Sequence, residues 1–410
     1  MTPSNPIKGA LQGIRVLDLS RILAGPWATQ MLADFGADVI KIERPDCGDD
    51  TRTWGPPFIK DSQGKETDDA AYFHAANRGK RSLALDITSN EGQQIIRSLV
   101  AQCDVVVENY KVGGLKKYGL DYESLHAINP KLVYCSITGF GQSGPYKDRA
   151  GYDFMIQAMG GLMSVTGEPD GHPMKVGVAQ VDVMTGLYAC NAIQAALFYR
   201  EQQGEGQHID LGLLDVQVAT LANQAMNYLA SDEPPKRLGN AHPNIVPYQA
   251  FATTNGFIIL AIGNDSQFTN FCQLAGQADL ASHPDFSTNQ NRVINRETLI
   301  PLIEQIMNKH SDEWWLENLS AKGIPCGPIN TIDQVFADPQ VRHRGMQVNL
   351  KHFKAGTSPS VANPIKFSET PVNYHLAPPT LGQHSSQILS ELLGLPADKI
   401  DGLKSRGIIE

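Results

Sequence analysis

The sequence predicts an α/β protein with a largely parallel sheet, and three observations carry that prediction. Short apolar runs suited to buried strands alternate with amphipathic stretches of helical period through the first half of the chain. The spacers between those runs are roughly 10 to 15 residues, the length of crossover helices rather than hairpin turns. With 410 residues, 41% hydrophobic and 19% charged, the chain has the composition of a globular protein and the length for two or more cores.

The elements follow in order. Ile14, Val16, Leu17 and Leu19 make a buried strand, and Leu23 to Pro26 turn the chain into a helix. Pro26 suits the first helical position and Gly36 suits the stop. Ala37 to Ile42 form a second strand, closed by Glu43 and Arg44. This start has the form of a nucleotide-binding βαβ unit, but its turn lacks the Gly-rich pyrophosphate fingerprint, and Arg44 suits a phosphate. A nucleotide-bearing ligand other than NAD is expected. Ser82 to Asp86 reads as a strand, Asn90 to Cys103 as an amphipathic helix, Asp104 to Glu108 as a strand, Tyr122 to Ile128 as a helix and Leu132 to Thr138 as a strand. Asp182 to Arg200 is a long apolar helix stopped by Gly204 and Gly206. Composition shifts near Ser231 to Pro235; a hairpin about Asn255-Gly256 and amphipathic helices from Asp265 to about Leu319 then indicate a smaller α+β domain. The segment from Ile324 to Ile329 marks its exit, and the Pro- and Gly-rich remainder has little period until Ser385 to Leu393.

Charge and cysteine usage exclude several classes. A net charge of -9 with no Lys/Arg block argues against nucleic acid or an anionic membrane as principal partner. Six dispersed cysteines without a CxxC pair or a His cluster at zinc spacing indicate neither a disulfide framework nor a metal site. The opening MTPSNPIKGALQG resembles no signal peptide, and no apolar stretch approaches the roughly 20 residues that span a bilayer. A cytoplasmic protein is expected.

Several motifs bear on chemistry. Asp182, in an otherwise uncharged stretch at the head of the long helix, suits an N-cap. It equally suits a nucleophilic carboxylate, ionised at neutral pH and needing no partner base. Gly139 to Gly144 formally matches GxGxxG, but Pro145 and the charges at Lys147, Asp148 and Arg149 disfavour a helix there, so it reads as a turn. Ser143 lacks the final Gly of an esterase elbow. The Asn77 to Arg81 and Glu108 to Tyr110 groups, with Lys116 and Lys117, lie at the ends of predicted strands; they are solvated loops or ligand contacts. Arg52 and Trp54 share a loop consistent with a surface turn or a carboxylate pocket, and His242 is an isolated loop imidazole.

Together the segments GIRVLDLSRILAGPWATQMLADFGADVIKIERP, NRGKRSLALD, VVVENY, ITGFGQSGP, the Asp182 stretch, GIPCGPI with DPQV, and APPTLGQH resemble the class III (CaiB/BaiF) CoA-transferase family in family order. GDDTRTWGPPF, AGYD and AHPNIVPYQAF look most like its succinyl-CoA:glutarate (dicarboxylate) branch. The resemblance implies a Rossmann-like large domain from both termini (1–225 and 331–410), a small domain (226–330) and an interlocked homodimer. It implies Asp182 as nucleophile, attacking an acyl-CoA thioester to give an aspartyl anhydride and then an aspartyl-CoA thioester. CoA is then a substrate, with no tightly bound cofactor. Positions matching the family's CoA contacts are Leu23, Ala24, Arg44, Asn77, Arg78, Lys80, Asn109, Tyr110 and Lys117. Trp54, Tyr152 and Asp153 match substrate positions, and Arg52 is the expected holder of a distal carboxylate.

Two departures shape the alternatives. His242 to Val246 replaces the Gly-rich loop of formyl-CoA transferases, which puts formyl-CoA:oxalate specificity in doubt and makes His242 or Asn244 a pocket residue. The family's 2-methylacyl-CoA racemases carry His where this chain has Tyr152, a poor base at neutral pH. Racemase or isomerase is the alternative enzyme, and an acyl-CoA-binding protein is the non-enzymatic one.

Overall fold

The computed structural model describes residues 9–410, so the reading of the first eight residues lies outside the described residues. Close packing divides the chain into two units. The first comprises the chain through Gly160, Gly177–Thr220 and Gln340–Glu410; the second comprises Gly161–Val176 and Leu221–Pro339.

In the first unit the strands are β1 (Arg15–Asp18), β2 (Asp38–Glu43), the small hairpin β3 (Phe58–Lys60) and β4 (Glu66–Ala70), β5 (Lys80–Ala84), β6 (Val105–Glu108), β7 (Val133–Thr138) and β8 (His208–Gly212). Six of these form one sheet in the order β5-β2-β1-β6-β7-β8, with every neighbouring pair parallel. Val16, Leu17, Ile40, Val105, Val106 and Val107 are all essentially inaccessible, as strands covered on both faces require. Strand order reverses between β1 and β6, and in doubly wound sheets the crevice at that reversal is where ligands dock.

The helices to Ser231 are α1 (Ala24–Asp34), α2 (Ala71–His74), α3 (Asn90–Val100), α4 (Tyr122–His126), α5 (Asp153–Met159), α6 (Leu162–Val165), α7 (Gln180–Gln203), α8 (Leu213–Ala219) and α9 (Ala222–Ser231). One sheet face packs on α3 and on C-terminal residues, through Leu17, Leu83, Ile96, Leu99, Ile388 and Ile409. The other packs on α1 and α7, through Val16, Val107, Ala28, Leu32, Ala189 and Ile193. Helices α1 and α7 approach so closely that a Cβ on Gly186 would lie 2.9 Å from the Ala24 carbonyl oxygen.

The second unit holds the hairpin β9 (Tyr248–Ala252) and β10 (Phe257–Ala261), turned at Thr253–Gly256, with β11 (Cys326–Pro328) antiparallel on β10. Its core gathers Phe251, Ile258, Phe268, Phe271, Ile303 and Trp315.

Four expectations need correction. Pro26 is the third residue of α1, not the first, and its missing N–H falls in the first turn, where no helical acceptor exists. The segment around Cys326 is not merely an exit but an edge strand. The C-terminal stretch holds a further hairpin, β12 (Gln347–His352) and β13 (Gly356–Val361), and a helix at Ala397–Ser405. Finally, α7 is long and apolar enough to cross a membrane by length and composition alone, yet its buried side is spent on α1 and the sheet.

Candidate active site

The site starts at the β1–α1 turn, where the strand order reverses. Asn109, just past β6, clamps Arg21 at both backbone groups: Arg21 N–H donates to Oδ1 at 2.9 Å and Nδ2 donates to the Arg21 carbonyl at 2.7 Å. The next residue, Ile22, has φ of 72°, a left-handed conformation that a β-branched side chain resists. Its N–H points at the Asp49 carboxylate, 3.3 Å from each oxygen. Asp49 is buried, held by Lys41 Nζ at 2.9 Å and by the Thr51 hydroxyl and N–H. Although burial opposes it, Lys41 above all keeps the Asp49 carboxyl down at about 2.

Asp182 is the third residue of α7, and the N-cap Ala179 has no side-chain acceptor to offer. The cap comes from another helix. Asp153 Oδ1 accepts from the N–H groups of Val181 at 2.8 Å and Asp182 at 3.3 Å, while Gln157 Nε2 donates to Asp153 Oδ2 at 2.7 Å. The N-cap reading of Asp182 is thereby corrected, because α7 starts two residues earlier and takes its cap from Asp153. A carboxylate in a first turn gains from the helix dipole, but here burial and then the adjacent Asp153 charge outweigh it, pushing Asp182 up to about 7. The Tyr72 phenol is raised by burial and then by the charges of Asp182, Asp153 and Asp49. Its ring meets Trp54 edge-on at 5.3 Å.

Asp182 opens on a cavity of about 590 Å³ within the first unit, lined also by Leu23, Ala24, Trp54, Asn109, Tyr110, Tyr152 and Leu213. Five cations line it (Arg21, Lys111, Lys117, Lys147 and Arg149) against two carboxylates, Asp50 and Asp182. In a chain of net charge -9 this is a local basic patch suited to a polyanion. A larger groove of about 910 Å³ lies between α3 and the C-terminal helices, but it is open, and Arg406 and Glu91 on its wall pair with each other at 2.7 Å.

Comparison with known proteins settles the family. The model of CoA-transferase family III matches residues 11–385. A succinate–glutarate CoA-transferase of Agrobacterium fabrum is 54% identical, covering 96% of this chain and 98% of its own. The chain belongs to CoA-transferase family III. The Homo sapiens succinyl-CoA:glutarate CoA-transferase is 44% identical over 98% of this chain and 90% of its own. The crystal structure of a CAIB/BAIF family protein from Brucella suis superposes with a TM-score of 0.83 at 54% identity, covering 94% of this chain and 100% of that one.

In this CoA-transferase the expected CoA residues separate into three groups. Leu23, Ala24, Asn109, Tyr110 and Lys117 line the cavity, as do the expected substrate residues Trp54 and Tyr152. Arg44 is exposed, 3.7 Å from Asp50, on a small recess shared with Arg21 and Tyr110. Asn77, Arg78 and Lys80 are buried and do not reach the cavity. Lys80 bonds Asp18, the Pro26 carbonyl and Asn77, and Arg78 forms a two-toothed pair with Asp34 at 2.9 and 2.6 Å. These three are corrections, since their polar atoms already have partners inside the fold.

Arg52 is a fourth correction. It donates to Glu43 twice at 2.8 Å, to Asp69 at 2.6 Å and to the Pro379 carbonyl at 3.0 Å, and is buried under Phe73. Asp153 is a cap, not a free substrate contact. His242 and Asn244 lie in the second unit, where His242 Nδ1 accepts the Asn244 N–H at 3.0 Å and the Asn244 side chain exchanges hydrogen bonds with Asn227. All six cysteines are free thiols. Among the described residues Asp69, His74 and His352 place potential metal ligands within 4.8 Å, but Asp69 is paired with Arg52. His352 Nδ1 accepts the Ala355 N–H, which in the neutral ring leaves the proton on Nε2. Such a set does not suit a cation. Sequence reasoning missed Arg21 and Tyr72: the first looks like any polar residue after a strand, and the second belongs to a four-residue helix with no period to read.

Proposed function

We propose that this enzyme transfers CoA from succinyl-CoA to glutarate or a dicarboxylate of similar length, with Asp182 as nucleophile. The observation that carries the reading is Asp182 itself, the carboxylate at the head of α7 that opens on a basic cavity. The names of the two curated relatives support the substrate pair.

An Asp182 oxygen attacks the thioester carbonyl, the C–S bond breaks, and an aspartyl–succinyl anhydride and CoA thiolate result. The thiolate then attacks the aspartyl carbonyl, releasing succinate and leaving an aspartyl-CoA thioester. A glutarate carboxylate attacks that thioester, giving an aspartyl–glutaryl anhydride and CoA thiolate again. Attack of the thiolate on the glutaryl carbonyl yields glutaryl-CoA and restores the Asp182 carboxylate. Thioester and carboxylate are exchanged for the same pair, so the steps are nearly balanced and need covalent storage and exclusion of water rather than strong acid–base groups. Lys117 and Arg44 are suited to the phosphates of CoA, Leu23, Ala24 and Tyr110 to its apolar parts, and Trp54 and Tyr152 to the acyl chain.

The enzyme works as an interlocked homodimer in this reading, with no tightly bound cofactor, in the cytoplasm. Exposed Leu187, Tyr188, Phe198 and Tyr199 along α7 support association, since apolar residues grouped on a surface mark interfaces. Incubation with succinyl-CoA and a panel of acids, followed by mass spectrometry, tests the function. New thioesters of dicarboxylates and an adduct on Asp182 are expected. Exchange of the acyl α-proton with solvent, without any new thioester, would establish the isomerase alternative instead.

A further inference from the structure

A dicarboxylate acceptor brings one carboxylate that reacts and one that does not, and a cation on the cavity wall is what would hold the second in place. With Arg52 sealed under Phe73 between Glu43 and Asp69, that cation lies elsewhere. Two arginines line the cavity that holds Asp182. Arg21 is already paired with Asp50 at 2.7 Å. Arg149 has no carboxylate within ion-pair distance among the described residues.

Arg149 is exposed at the cavity rim, and contacts to two rings order its setting all the same. The Arg149 guanidinium lies 4.6 Å from the centroid of the Tyr146 ring and 5.4 Å from that of Phe140, and the two rings meet edge-on at 5.5 Å. Aromatic faces orient a guanidinium without neutralising it, so its hydrogen-bonding edge keeps its full charge for a ligand. The Arg149 N–H closes a turn on the Tyr146 carbonyl at 2.9 Å. The loop is pinned at its base, where a Cβ on Gly139 would fall 2.6 Å from the Gly151 Cα. Arg149 precedes by three positions Tyr152, a wall residue of the same cavity.

We propose that Arg149 holds the non-reacting carboxylate of the acceptor while the other carboxylate reaches Asp182, making Arg149 the residue that selects dicarboxylates. This rests on the reading of the enzyme as a dicarboxylate CoA-transferase. The planar fork of arginine takes a carboxylate with two parallel hydrogen bonds, which a lysine cannot match.

The test compares glutarate with pentanoate as acceptors, at one fixed donor concentration, for the wild type, Arg149→Ala, Arg149→Lys and Lys147→Ala. Any effect on the donor cancels in the ratio of kcat/KM for the two acids. Arg149→Ala should lower that ratio by about 10- to 100-fold, the scale of a charge-assisted hydrogen bond, with Arg149→Lys in between and the melting temperature unchanged. An equal loss for both acids would overturn the proposal, as would a ratio that falls in Lys147→Ala instead. Wild-type enzyme that passes CoA to pentanoate and not to glutarate would overturn the dicarboxylate reading itself, and the anchor with it.

Discussion

Two acidic regions of the first unit, one buried and one half-buried, are built on opposite rules. Under the β1–α1 turn three buried acids each have a cation: Asp18 with Lys80 at 3.0 Å, Asp49 with Lys41 at 2.9 Å, Glu43 with Arg52 at 2.8 Å. Asp18, Asp49 and Glu43 are all held below their ordinary carboxyl values, Lys80, Lys41 and Arg52 respectively being the chief lowering charges. At the head of α7 two carboxylates, Asp153 and Asp182, stand together with no cation bonded to either among the described residues, and Asp182 rises to about 7. A charge matched by a neighbour holds a fold in place. A charge left unmatched is in reserve for a ligand or a reaction, and that difference separates scaffold from site.

The comparison can be broken in four ways, in order of expected size. Asp182→Asn should cost on the order of 10⁴-fold or more in kcat, the scale of losing a nucleophile, with the fold intact because Asp153 supplies the cap. Residual turnover above a few per cent would remove Asp182 from the chemistry. Arg52→Ala should destabilise by about 3 to 5 kcal/mol, because Glu43 and Asp69 are left buried and unpaired; denaturant unfolding measures this, and a stable variant with a raised KM would return Arg52 to the substrate. Asp182 is raised to about 7 first by burial and then by the Asp153 charge; Asp153→Asn removes that charge but keeps an acceptor, so the acid limb of the kcat/KM profile should lie at lower pH than in the wild type and the rate at pH 6 should rise by roughly three- to tenfold. An unmoved limb would assign it to another group.

The smallest effect is on stability against pH. Asp182 has a raised carboxyl value, about 7 against 3.8, so the folded state holds its proton more tightly and loses stability as pH rises between those values. Asp49 is depressed, about 2 against 3.8, so its contribution is present above pH 3.8 and lost as pH falls toward 2. Asp182→Asn should therefore melt a few degrees above wild type at pH 8, with the gap closing toward pH 4. A gap constant across that range would mean that Asp182 has an ordinary carboxyl.

The scaffold was largely legible because its signals are local. Strand runs such as Val105 to Val107 and the amphipathic period of α3 speak within a few residues of themselves. Asp182 stood out as a lone charge in an apolar stretch. What sequence could not reveal was which polar side chains already have partners. Arg52 and Arg149 are both arginines near aromatics; one meets Asp69 across 17 positions and Pro379 across 327, and the other meets no acid among the described residues. The capping of α7 by Asp153 spans 28 positions for the same reason. The β12–β13 hairpin escaped because β13 inverts the usual pattern, with Ser358 buried and Pro359 and Val361 exposed.

The order in which the chain is made bears on one of these long-range contacts. His384 and Ser385 accept the N–H groups of Ser82 and Ala84 across 302 and 301 positions, and Ile409 bridges to Leu85 and is buried in the core beside Leu17. At about 5 to 20 residues per second, β5 leaves the ribosome many seconds before its covering segment exists. During that interval the strand is an uncovered sheet edge, a hazard for pairing with other chains. Arg81 within β5 places a charge on that edge, which is the kind of residue that keeps a waiting strand from the wrong neighbour.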